Sequence, residues 1–193
     1  MKARYALFCG VLLAVSVASQ AATITFDEAG IGSSPNNFYN GGGGPNLGAS
    51  FLANDWMVLG GFGETSPPNF AFSISGTGYM TVTGGFTGQF SFTYGAFATT
   101  TVTVFEGVDG TGAALASATL LANDPSSFDL TSISFTGIGR SVTVSGGEAQ
   151  FGWDDVTFSL NNTVPEPGSL ALVLSSLGLI GLVSRRRDRK SSS

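Results

Sequence analysis

The sequence predicts an all-β fold, an antiparallel jelly-roll-like sandwich of about ten short strands, with an apolar helix at each end of the chain. Between Thr23 and Leu160, apolar and polar residues alternate over short stretches, which is the period of a strand with one buried and one wet face. Turns rich in glycine, asparagine and proline separate these stretches. The length of 193 residues leaves room for one ordinary domain between the two ends, and we place it at residues 22–160.

Each predicted strand is a short run in which apolar residues recur at every second position. In chain order the runs are Thr23–Phe26, Trp56–Leu59, Phe70–Ser75, Tyr79–Thr83, Phe90–Tyr94, Thr100–Glu106, Ala114–Leu121, Ser132–Thr136, Ser141–Ser145 and Gln150–Leu160. The glycine pair Gly84-Gly85 predicts a turn between two of them. The segment Gly30–Gly48 holds little to bury, so we predict a long surface loop, either functional or merely flexible.

Residues 1–21 contain the three parts of a secretory signal peptide. Lys2 and Arg4 give a basic start, an apolar run follows from Tyr5 to Ala18, and small residues suit cleavage after Ala21. The apolar run is short for a bilayer core of about 30 Å, so we favour a cleaved signal helix over a permanent anchor. Such a signal implies the export translocon as a partner.

Two absences from the sequence exclude most catalytic chemistry. There is no histidine, and the only cysteine, Cys9, lies in the predicted signal peptide. Ser-His-Asp and Cys-His mechanisms and histidine-bound zinc are therefore excluded, and no disulfide or thiolate metal site supports the domain. A carboxylate pair of the kind that glycosidases use stays open, but nothing in the sequence singles one out. We therefore predict that the protein is not an enzyme.

Charge is strongly segregated along the chain. Between Thr23 and Thr163, one arginine, Arg140, stands against eleven carboxylates, which gives this part a net charge of −10. The other basic residues lie in the predicted signal peptide and after residue 184. A surface of this sign repels phosphate backbones, so we exclude nucleic acid as a partner and favour divalent cations.

The C-terminal part, residues 161–193, has the composition of a membrane-inserted tail. A polar linker leads to Val164-Pro165-Glu166-Pro167, whose two prolines disfavour a helix and keep the backbone extended. Residues 168–184 are apolar and uncharged, which is the short end of what spans a bilayer as a transmembrane helix. The basic residues at 185–190 follow at once and predict a cytoplasmic C-terminus with the β-domain outside.

This order of features resembles the PEP-CTERM sorting signal of Gram-negative bacteria that make extracellular polysaccharide. The residues that carry the resemblance are Val164, Pro165, Glu166 and Pro167, the apolar span at 168–184, and the stop Arg185, Arg186 and Arg187. The resemblance implies recognition of the Pro-Glu-Pro motif by an exosortase, a membrane-embedded cysteine protease. It also implies an inner-membrane intermediate, followed by the cell surface or the extracellular space.

Three segments of the β-domain are similar in outline to jelly-roll carbohydrate-binding modules. They are Thr23–Asp27, Val102–Gly107 with its continuation through Asp109–Gly112 to Leu115–Ser117, and Trp153–Phe158. The resemblance implies terminal strands that lie together, which in several families hold a structural calcium ion. It does not fix a ligand.

The last predicted strand changes phase, because apolar residues fall on odd positions before Asp154-Asp155 and on even positions after them. One extra residue, as in a β-bulge, produces such a change and re-aims side chains. We predict that Asp154 or Asp155, with Asp27 or Glu28 from the first strand, supplies oxygen ligands to Ca²⁺. The alternative is that these carboxylates are solvated turn and edge residues.

Aromatic residues offer faces for stacking on a sugar ring. Among them we favour Trp56 and the loop residue Tyr39, although aromatics at strand spacing in a Phe-rich domain are usually core residues. The expected role is therefore an exported, non-catalytic cell-envelope or extracellular-matrix protein associated with extracellular polysaccharide. The alternatives are a carbohydrate-binding module with a defined sugar site and a small glycan-active hydrolase.

Overall fold

The all-β prediction is confirmed by a computed structural model, which describes residues 20–161. The strands are β1 (Ala21–Ile24), β2 (Ala49–Phe51), β3 (Trp56–Gly60), β4 (Asn69–Ser73), β5 (Thr77–Ala96), β6 (Thr100–Phe105), β7 (Ala114–Leu120), β8 (Asp129–Ser134), β9 (Gly139–Ser145) and β10 (Phe151–Leu160). Within residues 20–161 no helix is long and apolar enough to cross a membrane. The predicted signal helix and the span at 168–184 lie outside the described residues.

The long strand β5 belongs to both layers of the fold. Residues 77–82 pair with β9 and β2, whereas residues 86–96 pair with β10 and β8. The first layer, here called the β9 sheet, runs β2-β5-β9-β6-β7. The second, here called the β10 sheet, runs β8-β5-β10, with β1 and β4 along the other edge of β10 and β3 beyond β4. All pairings are antiparallel, as predicted.

The predicted turn at Gly84-Gly85 is wrong. The chain continues through it as one strand, and the register with β9 shifts between Thr81 and Phe86. Gly85 has a φ of 77°, a conformation that glycine adopts without the strain of a side chain. The glycine pair is therefore an irregularity inside a strand that passes from one sheet to the other.

The sequence also missed one strand and placed the start of another too late. Strand β2 was not predicted, because its three residues are too few to show an alternation of apolar and polar residues in the sequence. Strand β8 begins at Asp129 rather than Ser132, because its first residues pair with Tyr94 and Thr93 of β5 although they are exposed.

The apolar faces of both sheets meet in one aromatic-rich core. Phe90 and Phe92 of β5 pack there as predicted from their alternation with Ser91 and Thr93, although Thr93 is also buried. Trp56 of β3 and Trp153 of β10 stack with ring centroids 4.7 Å apart and planes 4° apart. Because burial of apolar area contributes about 25 cal/mol per Å², these large rings are the main source of stability in a domain without disulfides.

The segment Gly30–Gly48 forms no named strand, as predicted, but backbone hydrogen bonds join Gly32 and Ser33 to Val58, and one of its side chains is buried in the core. Tyr39 packs edge-on against Phe26 and Phe51, with ring centroids 5.7 and 6.3 Å apart. The loop therefore has its own anchor in the core.

Candidate functional site

The predicted sorting residues Val164–Pro167 and the stop Arg185–Arg187 lie outside the described residues. The predicted signal cleavage residue, Ala21, is the first residue of β1 and pairs with Ser159. Cleavage after Ala21 would leave Ala22 as the first residue of the strand. The cleavage position stays a prediction.

Trp56 and Tyr39, the predicted sugar-stacking residues, lie in the core. Their exposed fractions are 0% and 1%. Trp56 stacks on Trp153, and its Nε1 donates a hydrogen bond to the carbonyl oxygen of Tyr79 at 3.1 Å. A ring that stacks on a sugar must present one face to solvent, so this geometry does not support a sugar contact at either residue.

The predicted bulge at Asp154-Asp155 is present. The register between β10 and β5 shifts between Asp154 and Thr157, and Asp155 has a φ of 48°. Asp154 is buried, and its carboxylate accepts hydrogen bonds from Ser66 N at 2.9 Å, from Ser66 Oγ at 3.0 Å and from Asp155 N at 2.8 Å. Burial raises the pKa of Asp154 to about 6, and these hydrogen bonds offset only part of that rise.

The other predicted calcium ligands are also engaged with protein groups. Asp27 Oδ1 accepts a hydrogen bond from Asn69 N at 3.1 Å, and Glu28 Oε2 accepts one from the Tyr39 hydroxyl at 3.4 Å. Over residues 20–161, no three His, Cys, Asp or Glu side chains form a group that could hold a metal ion. Calcium at these residues stays a prediction that the geometry does not support.

The side-chain amide of Asn69 contacts three carbonyl groups after β1. The Nδ2 atom of Asn69 lies 3.5, 3.3 and 3.0 Å from the carbonyl oxygens of Phe26, Asp27 and Ala29. Asn69 is buried, and its Oδ1 has no hydrogen-bond partner within the described part of the chain. Asp154 thus fixes one end of the segment 66–69 to β10, and Asn69 fixes the other end to the residues that follow β1.

That segment belongs to a cover over one half of the outer face of the β10 sheet. The cover encloses a cavity of about 90 Å³, here called the aromatic cleft. The cleft is lined by Leu59, Phe62, Phe70, Phe72, Gly95, Phe97, Pro125, Phe128 and Gly152. Its lining side chains are all apolar, so it offers almost no hydrogen bond to a ligand.

Two glycines form the floor of the aromatic cleft. Gly95 and Gly152 face each other on β5 and β10. A Cβ atom on Gly95 would lie 2.6 Å from Phe128, and one on Gly152 would lie 2.8 Å from Phe70. Only residues without a side chain let these rings rest directly on the sheet.

Backbone hydrogen bonds join the two covering loops. Gly63 N donates to the carbonyl oxygen of Pro125 at 3.2 Å, and Phe128 N donates to that of Gly63 at 3.1 Å. Thr65 Oγ1 donates to Thr93 Oγ1 at 2.8 Å, which ties the first loop to β5. The cover is therefore a built part of the fold.

The other half of the same outer face is polar, and no other segment of residues 20–161 covers it. We call it the hydroxyl face, and it consists of Thr23, Gln89, Ser91, Ser132, Ser134 and Thr157. It contains a groove of about 500 Å³ that is lined by Gln89, Ser91, Leu130, Thr131 and Ser132. Leu130 is 76% exposed at the edge of this groove.

Sequence reasoning missed the hydroxyl face. The alternation identifies Ser91 and Thr157 as wet-side residues of their strands, but it does not say which strands are neighbours. The available signal was that the outward positions of several strands carry Ser, Thr or Gln and no charge. Strand pairing brings these positions into one surface.

Several solved structures are similar to this chain at low identity, while no curated protein matches the chain. A family 29 carbohydrate-binding module from Piromyces equi is 11% identical over 80% of this chain and 99% of that one, with a TM-score of 0.46. A carbohydrate-binding module from Clostridium stercorarium in complex with cellobiose is 12% identical over 61% and 91%, with a TM-score of 0.41. A family 43 arabinoxylan arabinofuranohydrolase from Bacillus subtilis is 13% identical over 54% and 25%, with a TM-score of 0.39. At these values the likeness assigns no ligand or activity to this chain.

The C-terminal residues match a family model directly. The match covers residues 163–187 and is to the PEP-CTERM protein-sorting motif. It includes Val164–Pro167, the apolar span and Arg185–Arg187, which carried the resemblance in the sequence. The chain thus carries a PEP-CTERM protein-sorting motif, which indicates an exported protein that is membrane-anchored before processing.

Proposed function

We propose that this protein is exported, sorted by an exosortase, and held non-catalytically in the cell envelope or extracellular matrix in association with extracellular polysaccharide. The observation that carries the proposal is the match of residues 163–187 to the PEP-CTERM protein-sorting motif. The protein is the substrate of the sorting reaction, and its β-domain is the part that is delivered.

The tail residues have distinct physical roles in this proposal. The apolar residues 168–184 hold the chain in the inner membrane, and the arginines at 185–187 keep the C-terminus in the cytoplasm. Pro165 and Pro167 leave the backbone next to the membrane without helical hydrogen bonds, so it is open to a protease. Glu166 between them gives the exosortase a charged group to recognise.

A non-catalytic role fits the chemistry of the described residues. The sequence contains no histidine, and the buried carboxylate of Asp154 accepts three structural hydrogen bonds. The aromatic cleft has no polar side chain that could act on a substrate. These observations favour a binding or structural role over the alternative of a small glycan-active hydrolase.

Association with polysaccharide fits the hydroxyl face better than the alternative of a sugar site at buried aromatics. The groove there is lined by uncharged polar side chains that both donate and accept hydrogen bonds. Such groups match the hydroxyl groups of a glycan.

Intact-mass measurement of the chain in membrane and extracellular fractions tests the sorting proposal. In cells that make an exosortase, we expect an extracellular form that lacks residues after the Pro-Glu-Pro motif, and a Glu166→Ala variant that accumulates uncleaved in the membrane. The matched control is Glu148→Ala, which removes an exposed acid in a turn and should leave processing unchanged. A full-length C-terminus in both fractions of the wild type would contradict the proposal.

A further inference from the structure

We propose that the hydroxyl face binds a neutral polysaccharide chain, an inference that rests on the polysaccharide association proposed above and names its contact surface. The surface lies on the outer side of the β10 sheet, across β8, β5, β10 and β1. The ligand class is an uncharged glycan in an extended conformation.

The hydroxyl face is continuous across four strands. Ser132 pairs with Ser91, Ser91 pairs with Thr157, and Thr157 pairs with Thr23. Because neighbouring strands lie about 4.8 Å apart, this row of hydroxyl groups extends roughly 14 Å across the sheet. A surface of that width contacts more than one sugar residue of an extended glycan.

The polar groups at the groove are free to bind a ligand. The side chains of Gln89, Ser91 and Ser132 form no hydrogen bond with any other residue of the 20–161 region. Thr23 and Thr157, at the far end of the row, hydrogen-bond each other, with hydroxyl oxygens 2.9 Å apart, and Thr157 Oγ1 also donates to the carbonyl oxygen of Asp155 at 3.3 Å. Serine hydroxyls and the glutamine amide both donate and accept, as sugar hydroxyls do.

An apolar contact completes the chemistry of the groove. Leu130 projects from β8 beside the polar row and is the most exposed large apolar side chain of the described residues. Sugar rings are amphipathic, with C–H groups on their faces and hydroxyl groups at their edges. Leu130 can cover a C–H face while Ser91 and Ser132 bind hydroxyls.

Charge favours a neutral glycan over an acidic one. The six residues of the hydroxyl face are uncharged, so they offer no ion pair to a uronate or sulfate group. The part of the chain between Thr23 and Thr163 carries a net charge of −10, which repels polyanions. An uncharged chain approaches without that penalty.

The aromatic cleft is the weaker candidate for the same ligand. Its lining is apolar, and sugar hydroxyls buried there would lose hydrogen bonds to water without replacement. Its cavity of about 90 Å³ is also small beside the groove of about 500 Å³. The two halves of the outer face therefore differ in what they can bind.

Affinity electrophoresis of the full chain in detergent tests the inference. Separate native gels contain dextran, glucomannan, a soluble mixed-linkage β-glucan, or the polyanion alginate. We expect the protein to migrate more slowly in at least one gel that contains a neutral glycan, and to be slowed less in the gel that contains alginate. In the double variant Ser91→Ala/Ser132→Ala, the dissociation constant should rise about tenfold, as expected for the loss of one or two hydrogen bonds.

A blocking variant and a matched control separate binding from folding. Ser132→Arg places a long side chain in the groove from an exposed position on the edge strand β8, and it should abolish retardation. Thr101→Ala/Thr119→Ala removes two paired hydroxyls from β6 and β7 of the other sheet, which form no side-chain hydrogen bond within residues 20–161, and it should bind like the wild type. Melting temperatures of all variants should match that of the wild type.

Each remaining outcome overturns the inference. If the wild type is retarded and the face variants are retarded equally, the polysaccharide association holds but the site is wrong. If alginate retards the wild type more than every neutral glycan, the ligand class is wrong. If no gel retards it, both the site and the association fail, whereas the sorting proposal is judged separately by the intact mass of the exported chain.

Discussion

The two halves of the outer face of the β10 sheet differ in cover and in polarity. One half, over β3, β4 and the start of β10, is covered by loops, with the ring of the loop residue Phe128 on Gly95 and the ring of Phe70 from β4 on Gly152. The other half, over β8, β5, β10 and β1, presents hydroxyl groups that no loop of residues 20–161 covers. One sheet can therefore stabilise the fold with one half and bind a ligand with the other. Apolar rings stabilise the fold when they are removed from water, whereas hydroxyl groups can bind a ligand only when they are exposed.

A truncation in the covered half is expected to have the largest effect. Phe70 is buried, and its ring contacts those of Phe62, Phe72 and Phe128 at centroid distances of 5.6, 6.2 and 5.3 Å. Phe70→Ala should lower the free energy of unfolding by about 3–5 kcal/mol, because it removes a large apolar side chain and leaves a cavity. Urea unfolding measures this change.

The matched variant in the half with the hydroxyl face is Ser91→Ala. Its hydroxyl makes no hydrogen bond with another described residue, so the free energy of unfolding should change by no more than about 0.5 kcal/mol. If Phe70→Ala and Ser91→Ala lowered the free energy of unfolding equally, the covered half would contribute no more stability than the half with the hydroxyl face, which would contradict the contrast between the two halves.

A pH dependence should come from the boundary between the halves, where Asp154 holds Ser66. Its pKa is raised to about 6 in the folded state, against 3.8 for an ordinary aspartate, mainly because it is buried. At a pH between these two pKa values, Asp154 therefore keeps its proton in the folded state and releases it in the unfolded state. Stability from this group is complete below pH 4 and is lost as the pH rises through 6, by about 3 kcal/mol in total.

The measurement is the free energy of unfolding of the wild type and of Asp154→Asn between pH 3 and pH 8. The wild type should lose stability relative to the variant over this range, since asparagine does not titrate. A constant difference between the two proteins would show that the carboxyl group has an ordinary pKa, and the account of a buried clamp would be wrong.

Part of this architecture follows from local sequence and part does not. The alternation around Phe90 and Phe92 predicts their strand and its buried face, and the change of phase at Asp154-Asp155 predicts the bulge. Both are local patterns with a period of two. The sorting motif is likewise local, because its meaning lies in the order of three adjacent features.

The features that the sequence could not predict depend on distant partners. Tyr39 looks like an exposed loop residue until Phe26 and Phe51 are seen to pack against it. Asp154 looks like a metal ligand, but its partner Ser66 lies 88 residues away. The hydroxyl face needs the pairing of four strands, and no sequence period specifies which strands are neighbours.

The most direct test of the account is amide hydrogen exchange of the full chain. It is measured with and without the neutral polysaccharide that slows the electrophoretic migration of the protein most. We expect slower exchange in β8, residues 129–134, whose edge amides border the hydroxyl face, and no change in the covering loops at 61–68 and 121–128. Protection confined to those loops, with β8 unchanged, would place the ligand on the aromatic cleft and contradict the account.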